Sequence, residues 1–327
     1  MRGILKGMVR FTVLASGSRG NSSIVTGGHT RILVDAGLSC RELFKRMKAA
    51  GEDPATLDAI VITHEHSDHV AGLSVTARKL GIPVYFTEGT HRAWQRWLTP
   101  RPRMTYSQWL EQCRREAAAR SAEPEAETSV ATEEPDTETV DLAAEAEAVS
   151  APAAPEKDPT ALPAVEYFAP GQPFCIGDIH VSPFTISHDA ADPVGFVFET
   201  EGVRLAVATD LGYMSPNVKN QLKSLDLLLL ESNHDLEMLR DGPYPWSVKQ
   251  RVLSRVGHLS NDAASQFLEQ DYDGNATYVI LGHLSENNNL PELAKVAAER
   301  ALANHASLLA NRLLLAEQTH PLNPVTF

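Results

Sequence analysis

Thr63-His64-Glu65-His66-Ser67-Asp68-His69 follows directly on the apolar run Ala59-Ile60-Val61-Ile62. Three imidazoles and two carboxylates thus crowd the end of a stretch that reads as a buried strand. Burying such groups unpaired is expensive, and a bound cation removes that expense. In a loop after a strand, alternation can turn His64 and His66 toward one ion. The following turn can then aim Asp68 and His69 at a second. Neutral imidazole with carboxylate suits zinc, manganese or iron, and the lack of cysteine ligands argues against a closed structural zinc site. Two ions about 3.5–4 Å apart can hold a bridging hydroxide at neutral pH and clamp a phosphate.

Working outward, other titratable residues stand at the ends of strand-like runs. Phe11 to Leu14 predicts a strand that enters the small-residue loop Ala15 to Ser23. Ser23 to Thr26 and Arg31 to Asp35 flank Gly27-Gly28 as a hairpin. Ser39 reads as a helix N-cap, with helical spacing through Leu43, Phe44 and Met47. Val70 to Leu80 predicts a helix stopped at Gly81, and Pro83 to Phe86 a strand. Thr90 to Leu98 predicts another helix. Ile179 to Ile186 alternates like a strand and runs into His188. Val194 to Thr200 and Val203 to Thr209 predict a hairpin that ends at Asp210. Leu225 to Leu230 is wholly apolar, as expected of a strand buried on both faces, and it leads to Glu231. Trp246 to Val256, Ser260 to Gln270 and Pro291 to Ala303 predict helices. Ala276 to Leu281 predicts a strand that leads to His283. His64, His188, Asp210, Glu231 and His283 therefore each follow a β-type run. Strand ends that converge on one sheet edge are where α/β folds place their chemistry.

The chain has 327 residues, with 43% hydrophobic content and a formal net charge of -13. Residues 121–160 contain twelve Asp or Glu and one Lys, a net of -11, so the other 287 residues carry about -2. The acidity is local and does not exclude a nucleic-acid substrate. Residues 117–163, rich in Ala, Glu, Pro and Thr, predict a disordered low-complexity insertion inside a single domain spanning 8–327. Cys40, Cys113 and Cys175 are scattered and odd in number, which argues against a disulfide framework. No apolar run reaches membrane-spanning length, and the first residues lack the pattern of a signal peptide. A cytoplasmic protein without a membrane partner is expected, with Met8 as a second candidate start. The assembly state is left open, a dimer being one expectation.

The motif His64-x-His66-x-Asp68-His69 resembles that of the metallo-β-lactamase fold superfamily, hydrolases built as a four-layer αββα sandwich. That resemblance implies an α/β fold of this kind, covering nearly the whole chain outside the insertion. It also implies two divalent metal ions, zinc or manganese. His64, His66 and His188 would hold the first, and Asp68, His69 and His283 the second. Asp210 would bridge them, Asp68 would also serve catalysis, and Asp35 would brace the histidine loop.

Glu231 and His258, the latter in Gly257-His258-Leu259-Ser260-Asn261-Asp262, resemble the paired motifs of the phosphodiesterase branch typified by tRNase Z. There the carboxylate orients the imidazole, and the imidazole assists the leaving oxygen, a pairing suited to proton transfer. His234 is a nearby competitor for such a role. The opening Ala15 to Ser22, the Glu231 to Asp235 segment, Pro243 to Trp246 and the Leu-Ser-x-x-Asn-Asn after His283 are similar to the YycJ/WalJ-type exonucleases. This similarity implies a 5′-to-3′ DNA exonuclease that uses a metal-bridged hydroxide. Carbon-ester hydrolases such as thioesterases or lactonases share the His64–His69 motif without requiring Glu231 and His258. RNA-processing enzymes of the RNase J kind carry a cap domain between the bridging Asp and the last His. Here those residues are 283 − 210 = 73 positions apart. A metal-stabilised binding protein or regulator is the non-catalytic alternative.

DNA is the expected partner ahead of RNA. Ser18 and Asn21 lie in a loop able to offer backbone N–H groups to phosphate. Ser260 and Asn261 open a helix whose N-terminus favours anions. Lys249, Arg251 and Arg255, near Tyr244 and Trp246, have the composition of a clamp for backbone and bases.

Overall fold

The computed structural model describes residues 8–99, 110–111, 114–115, 158–305 and 311–327. Most of the expected insertion, residues 117–157, lies outside the described residues. Two units are separable, one of residues 1–98 with 159–327 and the other of residues 99–158. Everything below concerns the first. Its chain resumes at the insertion's far end, where Arg78 donates to the Ala161 carbonyl at 3.1 Å and Leu162 packs on the core.

Fourteen strands are described in this unit, in two seven-stranded sheets. The first has the order β14-β1-β2-β3-β4-β5-β6. It contains β1 (Arg10–Ala15), β2 (Ser22–Thr26), β3 (Arg31–Val34), β4 (Ala59–Val61), β5 (Val84–Phe86), β6 (Val165–Tyr167) and β14 (Val325–Thr326). The second has the order β13-β12-β11-β10-β9-β8-β7. It contains β7 (Phe174–Ile176), β8 (Ile179–Thr185), β9 (Val194–Thr200), β10 (Val203–Ala208), β11 (Leu227–Glu231), β12 (Tyr278–Gly282) and β13 (Arg312–Leu315).

The side-chain period of two explains the layering. In β11, Leu227 and Leu229 pack between the sheets, while Leu228 and Leu230 pack outward. The outward pair shares a cluster with Val218, Phe267, Leu268, Ala294 and Ala298 from the covering helices. In β3, Ile32 and Val34 face the other sheet. Leu33 faces outward, in one cluster with Leu43, Met47, Leu73, Ala77 and Trp94. Strands covered on both faces need apolar residues at every position, which is why β11 lacks alternation. The result is the expected αββα sandwich.

Strand direction then sets the position of the site. β3 and β4 are parallel, and so are β10, β11 and β12. β8 and β10 are each antiparallel to β9, so they run in the same direction. The residues that follow these strands therefore emerge at one end within each sheet.

Two helix expectations change in detail. Val70–Leu80 is broken into the helices Ser67–Val70 and Leu73–Leu80. A Cβ on Gly72 would stand 1.9 Å from the Leu38 carbonyl oxygen, so the chain passes too close there for any side chain. The helix from Trp246 ends at Val252 rather than Val256. Gly257 donates its N–H to Ser254 in the turn that follows, and His258 donates back to the Val252 carbonyl.

Candidate metal centre

The histidine loop is held by backbone contacts before any ion is considered. Asn21 N–H donates to the Asp68 carbonyl at 2.7 Å, and Ala36 N–H donates to the His69 carbonyl at 2.8 Å. The approach is close because residue 37 is glycine. A Cβ there would lie 1.7 Å from the Asp68 oxygen.

Asp35 adopts φ 60° just beyond β3 and accepts from Thr63 N–H and Thr63 Oγ1, both at 2.9 Å. Its Oδ2 lies 2.8 Å from His69 Nδ1. The bracing position expected of Asp35 is thus occupied. Burial raises the Asp35 pKa, and His69 and Thr63 only partly oppose it. Asn21 is buried: its Oδ1 accepts from Gly17 N–H, and its Nδ2 donates to Asp68 Oδ2 at 3.2 Å. It therefore acts as a strut beneath the loop, while Ser18 remains exposed.

Four sets of side chains converge, each with ligand atoms within 4.8 Å of one another. They are His64, His66 and His188; Asp68, His69 and His283; His64, His69 and Asp210; and Asp210, Glu231, His258 and His283. All seven ligand positions expected from the sequence are brought together. Asp210 belongs to two sets. Its Oδ2 is 3.3 Å from His69 Nε2, and its Oδ1 is 3.3 Å from His283 Nδ1 and 3.8 Å from His188 Nε2. Asp210 and His283 both sit at positive φ, 61° and 55°. Such backbone is sparsely populated for residues with a side chain and is characteristic of functional sites.

The donor set fits divalent cations. His64 Nε2, Asp210 Oδ2 and His283 Nε2 are buried and lack a hydrogen-bond partner. Buried polar atoms are normally satisfied, so three orphans pointing to one cluster mark a place for a ligand. The charge balance agrees. Burial opposes a charge on His69, yet Asp210, Asp35 and Asp68 outweigh it and raise the His69 pKa well above its ordinary value. His283 behaves the same way, with Asp210, Asp68 and Glu231 prevailing over burial. The carboxylates create a demand for positive charge that a metal would meet. On the His64 side burial dominates, aided by His69, and holds that imidazole neutral, as a ligand must be.

Glu231 is the buried end of β11. Its Oε1 lies 2.8 Å from His258 Nδ1 and 2.7 Å from His283 Nδ1. Its Oε2 accepts from the backbone N–H groups of Leu211 and Leu259, at 2.6 and 3.2 Å. Burial would raise its pKa, but His258 and His283 prevail and bring it down to about 2. The sequence pairs Glu231 with His258 only; its hold on His283 was not anticipated. No local pattern signals a contact between residues 52 positions apart. Ser16 was also missed as a brace: its Oγ accepts from His283 N–H at 2.8 Å.

Three substrate expectations need correction. Ser260 and Asn261 are 8% and 3% exposed. Ser260 Oγ accepts from Ala263 N–H as the helix cap, while Asn261 bonds to Ser232 and Asn289. Their side-chain polar atoms are engaged inside the protein. Lys249 is buried too, and its Nζ donates to the Arg240 carbonyl at 2.7 Å. His234, 1% exposed with both ring nitrogens unpartnered, joins none of the donor sets.

The family model of the metallo-beta-lactamase superfamily matches residues 15–283. The chain belongs to this superfamily. It is a metal-dependent hydrolase. Over 294 residues it is 33% identical to "Exodeoxyribonuclease YycJ" of Bacillus anthracis, covering 90% of this chain and 89% of that protein. It is 32% identical to "Exodeoxyribonuclease WalJ" of Streptococcus pneumoniae, with 90% and 88% covered. Among solved structures, the metallo-beta-lactamase fold protein YhfI of Bacillus subtilis aligns with a TM-score of 0.58 at 13% identity, over 96% of this chain and 99% of that one. That likeness concerns the fold alone. Among the described residues no helix is long and apolar enough to cross a membrane.

Proposed function

We propose that the protein is a dinuclear-metal phosphodiesterase acting on nucleic-acid ends, specifically a 5′-to-3′ DNA exonuclease. The observation that carries this reading is the Glu231–His258 pair, 2.8 Å apart and in one donor set with Asp210 and His283. A carbon-ester hydrolase has no need of that pair. The relatives named as exodeoxyribonucleases support DNA as the substrate.

His64, His66 and His188 would hold one ion, and Asp68, His69 and His283 the other, with Asp210 between them. When bound, the ions, zinc or manganese, supply Lewis acidity toward a phosphoryl group and activation of the nucleophile. The chain's own residues do the remainder. Asp35 fixes the His69 ring through Nδ1, and Glu231 fixes His283 in the same way. Each imidazole thereby keeps Nε2 as its ligand atom. His258, 20% exposed through its side chain, donates Nδ1–H to Glu231 and carries a proton at Nε2 toward the leaving oxygen. Asp68, part-exposed at the mouth, orients the attacking group. Excluding bulk water from the buried side of the cluster strengthens each of these interactions.

The test supplies the protein with Mn²⁺ or Zn²⁺ and offers single- and double-stranded DNA and RNA, each labelled at one end. Stepwise release of nucleotides from the 5′ end of DNA, abolished by chelation, is the expected result. Thioester or lactone turnover without phosphodiester cleavage overturns the proposal.

A further inference from the structure

Among the three basic residues near the helix Trp246–Val252, the structure separates distinct fates. Lys249 is buried and bonded to a backbone carbonyl. Arg255 lies over the Tyr213 ring, its guanidinium carbon 3.9 Å from the centroid. Arg251 reaches back to the site: its Nε donates to Asp189 Oδ2. Its side chain remains 59% exposed, against 26% for Asp189.

The position of Asp189 gives this pair its meaning. Its other oxygen, Oδ1, lies 3.5 Å from His188 Nε2, which in turn is 3.1 Å from His66 Nδ1. One carboxylate thus spans the gap between the donor set and an exposed guanidinium. The backbone fixes it there, since Asp189 N–H donates to the Val256 carbonyl at 3.0 Å. A surface ion pair adds little to stability. This pair instead places an anionic oxygen at the lip of a site proposed to receive a phosphodiester. Guanidinium binds carboxylate and phosphate through the same fork of donors.

We infer that Arg251 grips a strand phosphate next to the bond being cleaved, and that Asp189 is an internal stand-in which this phosphate displaces. The inference rests on the phosphodiesterase reading of the same site. Asp189 keeps the arginine pointed at the mouth in the free enzyme and weakens binding by competing for it. Arg251 is then a residue for polymer recognition, and its effect should be larger on a strand than on a small diester that lacks a neighbouring phosphate.

The experiment uses metal-loaded full-length protein with two probes. One is a fluorescein-labelled oligothymidylate with phosphorothioate linkages, read by anisotropy across salt concentrations. The other is bis(p-nitrophenyl) phosphate, read by turnover beside an unmodified oligonucleotide. Arg251→Ala should weaken oligonucleotide binding about tenfold, the loss of one charge-assisted contact. It should also reduce the slope of log affinity against log salt by about 0.7, one phosphate's share on a single strand. Its fall in kcat/KM should be several-fold larger for the oligonucleotide than for the small diester. Arg251→Lys should restore the salt slope but only part of the affinity. Asp189→Asn should tighten binding several-fold with metal content unchanged. Arg204→Ala removes an arginine paired with Glu199 at the start of β10, the end of that strand opposite Asp210, and serves as the charge control. Equal effects of Arg251→Ala and Arg204→Ala, or weaker binding by Asp189→Asn at full metal content, overturn the inference and leave the reading intact. Failure of the unaltered protein to cleave either phosphodiester overturns the reading and the inference with it.

Discussion

Asp35 and Glu231 are both buried carboxylates at strand ends, one from each sheet, and they hold the site in different ways. Asp35 accepts from Thr63 and His69 and so ties down one continuous loop. Glu231 gathers Leu211, His258, Leu259 and His283, three separate segments besides its own strand. The difference appears in their acidity. Burial prevails at Asp35 and raises its pKa, whereas at Glu231 the two histidines prevail and hold it at about 2. One carboxylate stiffens a motif that the chain has already assembled; the other assembles one from distant parts.

The strongest way to break this comparison is to neutralise each in turn. Glu231→Gln puts an amide N–H₂ where two backbone N–H groups can accept nothing from it and two imidazoles could do so only by changing tautomer. We expect at least a thousandfold loss of activity and a lowered metal occupancy, since both His258 and His283 lose their anchor. Asp35→Asn should cost less, about 10–100-fold in metal affinity, as expected for a partner behind a single ligand. Metal analysis and turnover on both variants decide the matter, and a larger loss at Asp35 would invert the ranking.

A more selective effect is expected one bond further out. His258 and His283 share the same Glu231 oxygen but differ in proposed role. His258→Ala should lower kcat by about 10²–10⁴ while metal content is retained. His283→Ala should lose metal together with activity. If the two variants lose metal equally, His258 is a ligand rather than a proton carrier.

The smallest effect concerns acid stability near this region. Burial lowers the His234 pKa to about 4, and His258 adds to the shift. The unfolded chain would protonate this imidazole near its ordinary value, so it takes up the proton first. Its contribution is complete above pH 6.5, falls as pH drops toward 4, and is flat below that. Across the window the loss is roughly 2–4 kcal/mol. His234→Gln should flatten the dependence of urea unfolding on pH over this range. An unchanged slope would mean that the ring is already paired in solution.

Contiguity decided what was legible. The cluster from His64 to His69 can be read from spacing because the ligands share one loop. Individual strands were readable where apolar runs are long, as at Leu225 to Leu230, whose outward and inward leucines pack on different layers. Family resemblance supplied His188, Asp210 and His283 as expected ligands, and the fold brings them to the cluster. The contacts between segments were not readable. Ser16 meets His283 across 267 positions and Arg251 meets Asp189 across 62, with no periodic trace in either stretch. Ser260 and Asn261 misled for a related reason. A helix N-terminus reads as an anion site only if it is open, and whether neighbours such as Asn289 and Ser232 close it is a tertiary fact.

The absent side chain at Gly37 has a consequence for anyone who would re-engineer the centre. The Asp68 carbonyl occupies the space that a methyl group would need, so the path of the loop is fixed by backbone against backbone. Side chains at its open edge, His66 and Asp68, both proposed ligands, can be exchanged without altering that path. Gly37→Ala leaves every ligand in place chemically and still should displace the loop. A library for altered metal preference therefore belongs at these part-exposed proposed donors, with residue 37 held constant.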